Sequence, residues 1–496
     1  MIFSIEFLKK FTLMKQKTFL LLFLSITIVS SYIVFYKLGV AFLDDWDEAW
    51  YGEMVKQMLL SGQIVVLKWN GDFLFDKPPL YIWFSALTSS IFGLSEWSIR
   101  ITSAIAGFLT IIIAFVYSYK KWGVLPSLLT FATLVLNNIY IWRVRSGNLD
   151  ALVTFLIFLT FFAILWKNKW RYPVLGILYA LIFLGKASLV AFPLAIFGIT
   201  ELLYHSKMLF KNPLQQLGNY LLFAALFIAP IAFWLYSGKQ IAGQEFVEYY
   251  LFRSDQGVAN ISMEMFKTNY LWHTYYSLQR RFFFVFVFGL IMLAVRFYKK
   301  ENLMLLSYSL FLLFLLSFTE RDNNWYLTPS IPFWSLSVGF GTYQVLKLFP
   351  LKQFTFLIVI AILLPSIYVS QKTFRENIQP IIHTSSSSSQ VASALAVREM
   401  SNPDEAIVRL DHLYPTAIYY SDRKVYASPG ETGTGNLFMG RTYAAGQMES
   451  GELRFAMGRT GDVESFVKEF KLIGNIHTIN QEESIFEYVP LIVEIK

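Results

Sequence analysis

The chain contains no cysteine among its 496 residues. The missing thiols exclude a disulfide framework, thiolate catalysis and cysteine redox chemistry. Charge is also scarce, because Asp, Glu, Lys and Arg together make up 15% of the residues, against about 25% in soluble domains. Apolar residues fill the chain instead, since 55% of it is hydrophobic. This composition predicts a membrane protein.

Long apolar stretches recur along most of the chain. Runs such as 18–36 contain no Lys, Arg or Glu, and at about 1.5 Å per residue they are long enough to cross a ~30 Å hydrocarbon core. No small-residue cleavage site follows the first run, so we expect an uncleaved span. Hydropathy predicts about eleven spans, near residues 18–37, 98–119, 124–141, 150–166, 172–187, 189–204, 217–236, 282–297, 303–319, 328–346 and 353–370.

The basic residues indicate how these spans are oriented. Clusters such as Lys120–Lys121, Lys207/Lys211 and Lys347/Lys352 follow the even-numbered spans, and the positive-inside rule places such turns in the cytoplasm. Much of the net charge of +8 is then an orientation signal, which weakens a nucleic-acid-binding interpretation. We expect a cytoplasmic N-terminus and an extracytoplasmic C-terminus.

The composition changes after Tyr368. The run "TSSSSS" at 384–389 is typical of a flexible linker, and ordinary soluble patterning follows it. The segments "VASALAVREM" and "DVESFVKEF" predict helices, whereas "AIVRL", "KVYAS" and "SIFEYVPLIVEI" predict strands. We therefore predict a mainly α fold with three parts: a polytopic membrane domain (1–370), a linker (371–389) and a small extracytoplasmic α/β domain (390–496).

The first outer loop, 38–97, is rich in acids near its start. In "DDWDEAWYGEMVKQMLLSG" the helical period predicts an amphipathic helix that begins at Asp47, stops at Ser61-Gly62 and lies in the membrane interface. Its polar face would carry Glu48, Glu53, Lys56 and Gln57. The aspartates at 44, 45 and 47 could simply favour the positive end of the helix dipole. Alternatively, at least one is catalytic, because ionised groups at membrane depth usually have a function.

The second half of this loop is "NGDFLFDKPPLYIWFSALTSSIFG", residues 70–93. Asn70-Gly71 predicts a turn, and Leu80–Phe92 a short interfacial or re-entrant helix that ends at Gly93. Lys77 lies at the start of that helix, where a cation beside a helix N-terminus suits a phosphate. The alternative for Lys77 is a lysine that snorkels to the membrane surface.

The segment "DEAWYGEMVKQMLLSGQIVVLKWNGDFLFDKPPLYIWFSAL" resembles the first outer loop of family-39, protein-mannosyltransferase-like membrane glycosyltransferases, which include bacterial lipid A aminoarabinose transferases. The shared features are Asp-Glu, a following Tyr, a Met-Leu-x-x-Gly turn, Asn-Gly, and an acid before Lys-Pro-Pro-Leu. "RSGNLDALVTFL", "FLGKASLVAFPL" and "NNWYLTPSIP" resemble later segments in the family order. The resemblance implies a C-type glycosyltransferase fold. It also implies an inverting transfer of one sugar from a polyprenyl-phosphate donor to a lipid, glycan or protein acceptor, at the outer face of a bacterial cytoplasmic membrane.

The resemblance also implies roles for individual residues. Asp47 would be the catalytic base, Asp150 corresponds to a second family carboxylate, and Lys77 and Lys186 would bind the donor phosphate. The supporting candidates are Glu48, Tyr51, Arg145 and Tyr326. Trp50 stands where the family often has Arg, and Arg321 and Asp322 stand where several members have Lys. Some relatives hold a divalent metal between an acid and a loop histidine, which would be Asp76 and His273 here.

The chemistry explains why this pattern of charges is needed. The leaving phosphate is already an anion, so one carboxylate base suffices to activate the acceptor hydroxyl, and cations must stabilise the phosphate oxygens. Lys186 interrupts the apolar run "LIFLGKASLV", which favours a donor contact over snorkelling, and Arg253 is a further candidate. Asp150 could orient the acceptor, partner a lysine, or form a structural pair with Arg145.

Two other classes of function remain open from the sequence. A transporter or flippase of a lipid-linked glycan would use charges along a pathway, and it predicts charged or broken helices near mid-bilayer and inverted repeats. A non-enzymatic envelope protein would bind partners through its C-terminal domain. A non-enzymatic envelope protein would leave the first-loop motif unexplained.

Overall fold

The structure is a computed structural model that describes residues 2–205, 212–253, 268–319, 322–348, 388–430 and 437–489, with isolated positions between 364 and 375. The predicted span at 353–370, most of the predicted linker and Arg321 lie largely or wholly outside these residues. The side chain of Arg253 also lies outside the described part of the chain, although its backbone is described.

Helices dominate the described residues, so the predicted mainly α fold is confirmed. In chain order they are α1 (Ile2–Phe35), α2 (Asp47–Ser61), α3 (Leu80–Phe92), α4 (Glu96–Trp122), α5 (Val124–Val135), α6 (Asn138–Arg145), α7 (Leu149–Leu165), α8 (Arg171–Gly185), α9 (Ala191–Tyr204), α10 (Pro213–Ala242), α11 (Gln244–Glu248), α12 (Asn269–Ser277), α13 (Arg281–Val295), α14 (Lys300–Leu316), α15 (Ile331–Leu348), α16 (Ser388–Met400), α17 (Pro415–Ser421), α18 (Arg441–Glu449) and α19 (Thr460–Phe470). Short 3-10 helical segments cover Ala187–Val190 and Asn324–Ser330, and a π-helical turn covers Tyr249–Arg253.

Each predicted span before residue 350 coincides with a helix or a pair of helices. Among the described residues, four stretches are long and apolar enough to cross a membrane: Gln16–Phe35, Glu96–Trp122, Ala187–Tyr204 and Pro213–Ala242. Two bent pairs raise the number to 6 if each pair is one span: α5 with α6, bent by 63°, and α12 with α13, bent by 111°. The total of about eleven spans stays a prediction.

The chain divides into two compact units. The membrane unit comprises Met1–Leu38, Phe75–Tyr81 and Arg100–Ile378, and the loop-and-sheet unit comprises Gly39–Leu74, Ile82–Ile99 and Gln379–Lys496. Most of the first outer loop therefore groups with the C-terminal domain, and not with the spans as the sequence suggested. The reason is a set of hydrogen bonds between the loop and α17, described below, which no pattern within the loop itself reveals.

Helices of the membrane unit approach one another closely where glycine removes a side chain. A Cβ atom built on Gly289 of α13 would lie 2.3 Å from the carbonyl oxygen of Ser337, and one on Gly341 of α15 would lie 2.5 Å from the carbonyl oxygen of Val285. Both distances are far inside van der Waals contact, so these two helices can pack this closely only with glycine at both positions. Small residues at helix contacts are the usual solution for packing in membranes.

The loop-and-sheet unit contains a five-stranded mixed sheet. Its strands are β3 (Ile407–Arg409), β4 (Val425–Ala427), β5 (Phe455–Arg459), β6 (Gly474–Thr478) and β7 (Glu483–Tyr488), which lie side by side in the order β4-β3-β5-β7-β6. β3 runs parallel to β4 and β5, whereas β7 runs antiparallel to β5 and β6. The core between the sheet and its helices includes Val408, Met448, Ala456, Phe466 and Phe486. The predicted α/β domain is thereby confirmed.

The first loop forms its two predicted helices. α2 begins at Asp47 and ends before Gly62, whose φ of 66° is the left-handed conformation that glycine favours at a helix C-terminus. α3 spans Leu80–Phe92 and is followed by Gly93 with φ 85°. The polar face of α2 is not open to solvent. Its charged residues Glu48, Glu53 and Lys56 are only 3%, 2% and 8% exposed, because α2 packs against α17.

The predicted turn at Asn70-Gly71 joins a small antiparallel hairpin of β1 (Lys68–Trp69) and β2 (Asp72–Phe73). Both turn residues have positive φ, 54° and 87°, as two-residue hairpins of this kind require. The buried side-chain amide of Asn70 donates to the carbonyl oxygen of Val425 at 2.8 Å and accepts from its N–H at 2.9 Å. The hairpin is thereby joined to strand β4.

Candidate functional site

Asp150 lies between two cations in the membrane unit. Its Oδ1 is 3.1 Å from Nζ of Lys186, and its Oδ2 accepts a short hydrogen bond from Nη2 of Arg143. The side chains of Asp150 and Arg143 are only 5% and 4% exposed, whereas that of Lys186 is 25% exposed. The three groups together have a net charge of +1. Lys186 is the most exposed of the three, so this positive charge is most accessible at its ammonium group.

Local sequence explains this arrangement. The side chain of Asn148 accepts a hydrogen bond from the N–H of Asp150 at 2.9 Å and so caps the start of α7. Lys186 follows α8 directly in an extended conformation, φ −158° and ψ 95°. A Cβ on Gly185 would lie 2.7 Å from Val153 of α7, so this glycine allows α8 to come close enough for Lys186 to reach Asp150.

Aromatic rings surround these cations. The guanidinium of Arg143 lies 4.9 Å from the ring centroid of Trp142 and 5.8 Å from that of Trp325. Nζ of Lys186 lies 4.9 Å from the ring centroid of Tyr326, one of the supporting residues suggested by the sequence. Contacts of this kind stabilise cations in a weakly hydrated setting, so the rings support the charges without neutralising them.

The suggested pairing of Arg145 with Asp150 was wrong. Arg145 donates to the carbonyl oxygens of Ile33, Val34 and Tyr36 at the end of α1, at distances of 2.6, 3.1 and 2.8 Å. These carbonyls have no later turn of helix to bond with, and a basic side chain satisfies them. Arg145 is thus a structural contact to α1, and sequence reasoning missed Arg143 as the partner of Asp150.

Asp76 and Lys77 form an adjacent ion pair, with 2.6 Å between Oδ2 and Nζ. Both side chains are partly accessible, at 31% and 29%. The hydroxyl of Tyr250 donates to the carbonyl oxygen of Lys77 at 2.7 Å, and the hydroxyl of Tyr249 donates to Oδ1 of Asp76 at 3.3 Å. The π-helical turn that carries both tyrosines therefore holds the backbone of the Lys-Pro-Pro segment. The same turn ends at Arg253.

The donors named for a divalent metal are engaged elsewhere. The ammonium group on Asp76 would repel a metal cation, and Nε2 of His273 lies 2.8 Å from Oδ1 of Asp322. No group of three or more Asp, Glu or His side chains suited to a metal occurs in the described part of the chain. These residues do not fit the metal site that the resemblance suggested, and metal dependence stays a prediction.

Asp47 is the first residue of α2 in the loop-and-sheet unit, and its side chain is half-buried. Glu48 is buried, and its Oε2 accepts a hydrogen bond from the N–H of Asp44 at 2.8 Å. The ring of Tyr51 lies parallel to that of Trp50, with an interplanar angle of 6°. Glu48 and Tyr51 thus contact the segment around Asp47, and their supporting role in catalysis stays a prediction. Asp47 and Lys77 belong to different units, and their meeting in one cavity stays a prediction.

Comparison with known sequences identifies similar membrane transferases. Residues 76–234 match the family described as dolichyl-phosphate-mannose-protein mannosyltransferase. The chain is 31% identical over 98 residues to an undecaprenyl phosphate-alpha-4-amino-4-deoxy-L-arabinose arabinosyl transferase of Pseudomonas savastanoi, which is 19% of this chain and 18% of that protein. It is 30% identical over 148 residues to an uncharacterised protein of Aquifex aeolicus, which is 30% of this chain and 29% of that protein. The aligned segments thus span less than a third of these relatives.

Comparison with solved structures extends the likeness to nearly the whole chain. The crystal structure of ArnT from Cupriavidus metallidurans in the apo state superimposes with a TM-score of 0.70 at 14% identity, covering 96% of this chain and 98% of that one. The structure of the same protein bound to undecaprenyl phosphate gives a TM-score of 0.70 and covers 95% of this chain. The chain therefore has the fold of ArnT, and it is similar to the protein-mannosyltransferase-like membrane glycosyltransferases, the aminoarabinose transferases among them.

Proposed function

We propose that this protein transfers a single sugar from a polyprenyl-phosphate donor to a lipid, glycan or protein acceptor, with inversion at the sugar carbon. The observation that carries the proposal is the buried Asp150, held between Arg143 and the partly accessible Lys186, in a chain with the fold of ArnT. A carboxylate fixed between two cations is a poor base, because both neighbours favour its ionised form. Its role is to position cations.

The cations would act on the leaving group. Transfer breaks the bond between the sugar carbon and the phosphate oxygen, so negative charge increases on a phosphate that is already an anion. Lys186 uses one of its donors on Asp150, and an ammonium group has three. Its remaining donors can therefore bind phosphate oxygens, and Lys77 would supply a second cation. Fixed donors of this kind stabilise charge that develops in the transition state.

Asp47 would act on the acceptor. A hydroxyl that attacks the sugar must lose its proton, and one carboxylate within hydrogen-bond reach can accept it. Asp47 is the half-buried carboxylate at the start of α2, within the first-loop segment that resembles the family. Neither of these two proposed steps, stabilisation of the leaving phosphate and deprotonation of the acceptor, is assigned to a metal ion. The reaction would take place at the outer face of the bacterial cytoplasmic membrane.

A direct assay tests the proposal. Purified protein is incubated with polyprenyl-phosphate sugars and a mixture of envelope lipids and glycans, and released polyprenyl phosphate is measured together with labelled acceptor. Equal amounts of both products are expected. Translocation of a lipid-linked glycan in proteoliposomes without release of polyprenyl phosphate would support the transporter instead. A comparison of envelope lipids and glycoproteins with and without the gene would then identify the acceptor.

A further inference from the structure

The backbone just before Asp47 is strained. Trp46 has φ 62° and ψ −102°, a combination that a residue with a bulky side chain rarely adopts. Such conformations persist only where the surrounding structure fixes them, and they are found mostly at functional sites. The turn at Trp46 sets the direction in which α2 begins, and therefore where Asp47 is presented.

Contacts to α17 hold this turn on its N-terminal side. Oδ1 of Asp45 accepts hydrogen bonds from the backbone N–H of Thr416 at 3.1 Å and from its hydroxyl at 2.8 Å. The N–H of Leu43 donates to the hydroxyl of Tyr420 at 2.7 Å, and that hydroxyl donates in turn to Glu96 at 2.9 Å. Two residues of α17 thus fix the chain one and three positions before Trp46.

A second set of contacts holds α2 on the other side of the turn. Nζ of Lys56 donates to the carbonyl oxygen of Tyr419 at 2.9 Å and lies 3.0 Å from Oδ1 of Asp422, directly after α17. The same ammonium group is 2.7 Å from Glu53 within α2. Helix α2, which begins with Asp47, and the loop segment that precedes it are therefore both attached to α17.

We infer that α17 is a positioning element for the proposed catalytic base: its contact to Asp45 holds Trp46 in the strained conformation that presents Asp47. The inference rests on the proposed function for its catalytic consequence. It gives the C-terminal domain an indirect part in the reaction, in which its residues position the base. Asp45 and Thr416 are positioning residues in this scheme.

The test compares variants of the full-length protein. Asp45→Ala removes both hydrogen bonds to Thr416, and we expect kcat to fall about 10-fold or more, because small displacements of a reacting group are costly. The KM for the polyprenyl-phosphate donor should change less than about threefold, because the proposed function assigns phosphate binding to Lys77 and Lys186 and not to Asp45. Asp45→Asn keeps the accepting oxygen and should restore most of the rate.

A matched control separates positioning from general stability. Asp72→Ala removes an ion pair of 3.3 Å to Lys424, which also joins the first loop to the C-terminal domain but lies away from Asp47 in the sequence. It should leave kcat unchanged. A wild-type kcat for Asp45→Ala, or an equal loss in Asp72→Ala, would overturn the inference. If Asp45→Ala does not accumulate, Thr416→Val removes only the hydroxyl and is measured in the same way.

Hydrogen exchange gives a second readout that does not depend on transfer activity. Backbone amides of residues 43–50 should exchange faster in Asp45→Ala than in the wild type or in Asp72→Ala, because the turn at Trp46 is released. Unchanged exchange would overturn the positioning role even if activity is lost. The two proposals can also fail separately. If Asp45→Ala exchanges faster but the wild-type protein transfers no sugar, the positioning role of α17 stands and the proposed function is rejected.

Discussion

Asp150 and Lys186 are 36 residues apart in the sequence, and their side chains meet at 3.1 Å in the membrane unit. The lysine side chain is partly exposed, yet its ammonium group contacts a carboxylate that is nearly inaccessible. Arg143 occupies the other oxygen of that carboxylate. The three residues form one charged unit, so the effect of removing any member depends on the two that remain.

Loss of the carboxylate should destabilise the membrane unit. Asp150→Leu leaves two neighbouring cations without their shared partner, and removal of one partner from a buried ion pair costs roughly 3–5 kcal/mol. We expect a clear drop in the thermal unfolding midpoint of the detergent-solubilised protein. Asp72→Leu, at a carboxylate that is 46% exposed, serves as the control. Equal midpoints for Asp150→Leu and the wild type would show that the unit contributes no stability.

Lys77→Ala should weaken use of the donor more than use of the acceptor, because Lys77 is proposed to bind phosphate oxygens. The measurement is a titration of the purified protein with polyprenyl phosphate, followed by steady-state kinetics with each substrate varied. Lys68→Ala is a suitable control, since Lys68 lies on β1 against the ring of Phe73. An unchanged affinity for polyprenyl phosphate would remove Lys77 from the donor site.

Asp47→Asn should abolish transfer while the protein stays folded in the membrane. The amide keeps the shape of the side chain but cannot accept a proton, and general-base catalysis contributes about 10²–10⁴-fold. Asp72→Asn makes the same change at an exposed carboxylate of the same loop and should keep full activity. Near-normal transfer by Asp47→Asn would exclude Asp47 as the base.

Two carboxyls that contact Lys56 should respond to pH in opposite directions. Burial raises the pKa of the Glu53 carboxyl above its ordinary value, and the Lys56 ammonium only partly offsets this. Burial also opposes ionisation of Asp422, but the nearby cations, Lys56 first among them, outweigh it, so the pKa of Asp422 lies below its ordinary value. The difference follows from exposure, since the Glu53 side chain is 2% exposed and that of Asp422 is 38% exposed.

The signs follow from which state binds the proton more tightly. Because its pKa is raised, Glu53 stabilises the folded state below about pH 4, and this contribution is lost as pH rises. The unfolding midpoint of Glu53→Gln, relative to that of the wild type, should therefore be higher at pH 7 than at pH 4. A lowered pKa makes Asp422 stabilising above about pH 4, so Asp422→Asn should be most harmful at pH 7. Thermal unfolding midpoints at both pH values check this, and parallel shifts in the two variants would contradict it.

The absence of cysteine makes the orientation directly testable. Tyr443→Cys places a single thiol on the exposed face of α18, and Asn168→Cys places one between α7 and α8. A membrane-impermeant maleimide added to intact cells or spheroplasts should label the first and not the second, because the positive-inside rule puts the basic α7–α8 turn in the cytoplasm. Labelling of Asn168→Cys alone would reverse the proposed orientation.

The sequence predicted those elements that local chemistry determines. The start and end of α2 and α3 followed from helix period and from Gly62 and Gly93, and the hairpin turn followed from Asn70-Gly71. Strands β5 and β6 were missed, because "FAMGR" is mostly buried and "GNIHT" mostly exposed, so neither alternates between buried and exposed residues as a typical half-buried strand does.

The remaining errors concern contacts distant in sequence. Arg143 and Arg145 precede Asp150 in the same short segment, and only the break between α6 and α7 decides which one reaches it. The burial of the polar face of α2 was not predicted, because its partner, α17, comes more than 350 residues later, as the separation of Lys56 and Tyr419 illustrates (363 positions). No pattern within the loop indicates that partner.

The bond between Asn70 and Val425 has a practical consequence for anyone who wishes to isolate the C-terminal domain. β4 is the last strand on its side of the sheet, and the first loop occupies the backbone groups of Val425. A fragment that begins near residue 379 would lack the hairpin and expose those groups. Unpaired backbone groups at a sheet edge can pair with another chain, so such a fragment should self-associate through Val425, whereas fusing residues 39–74 back onto it should keep it monomeric.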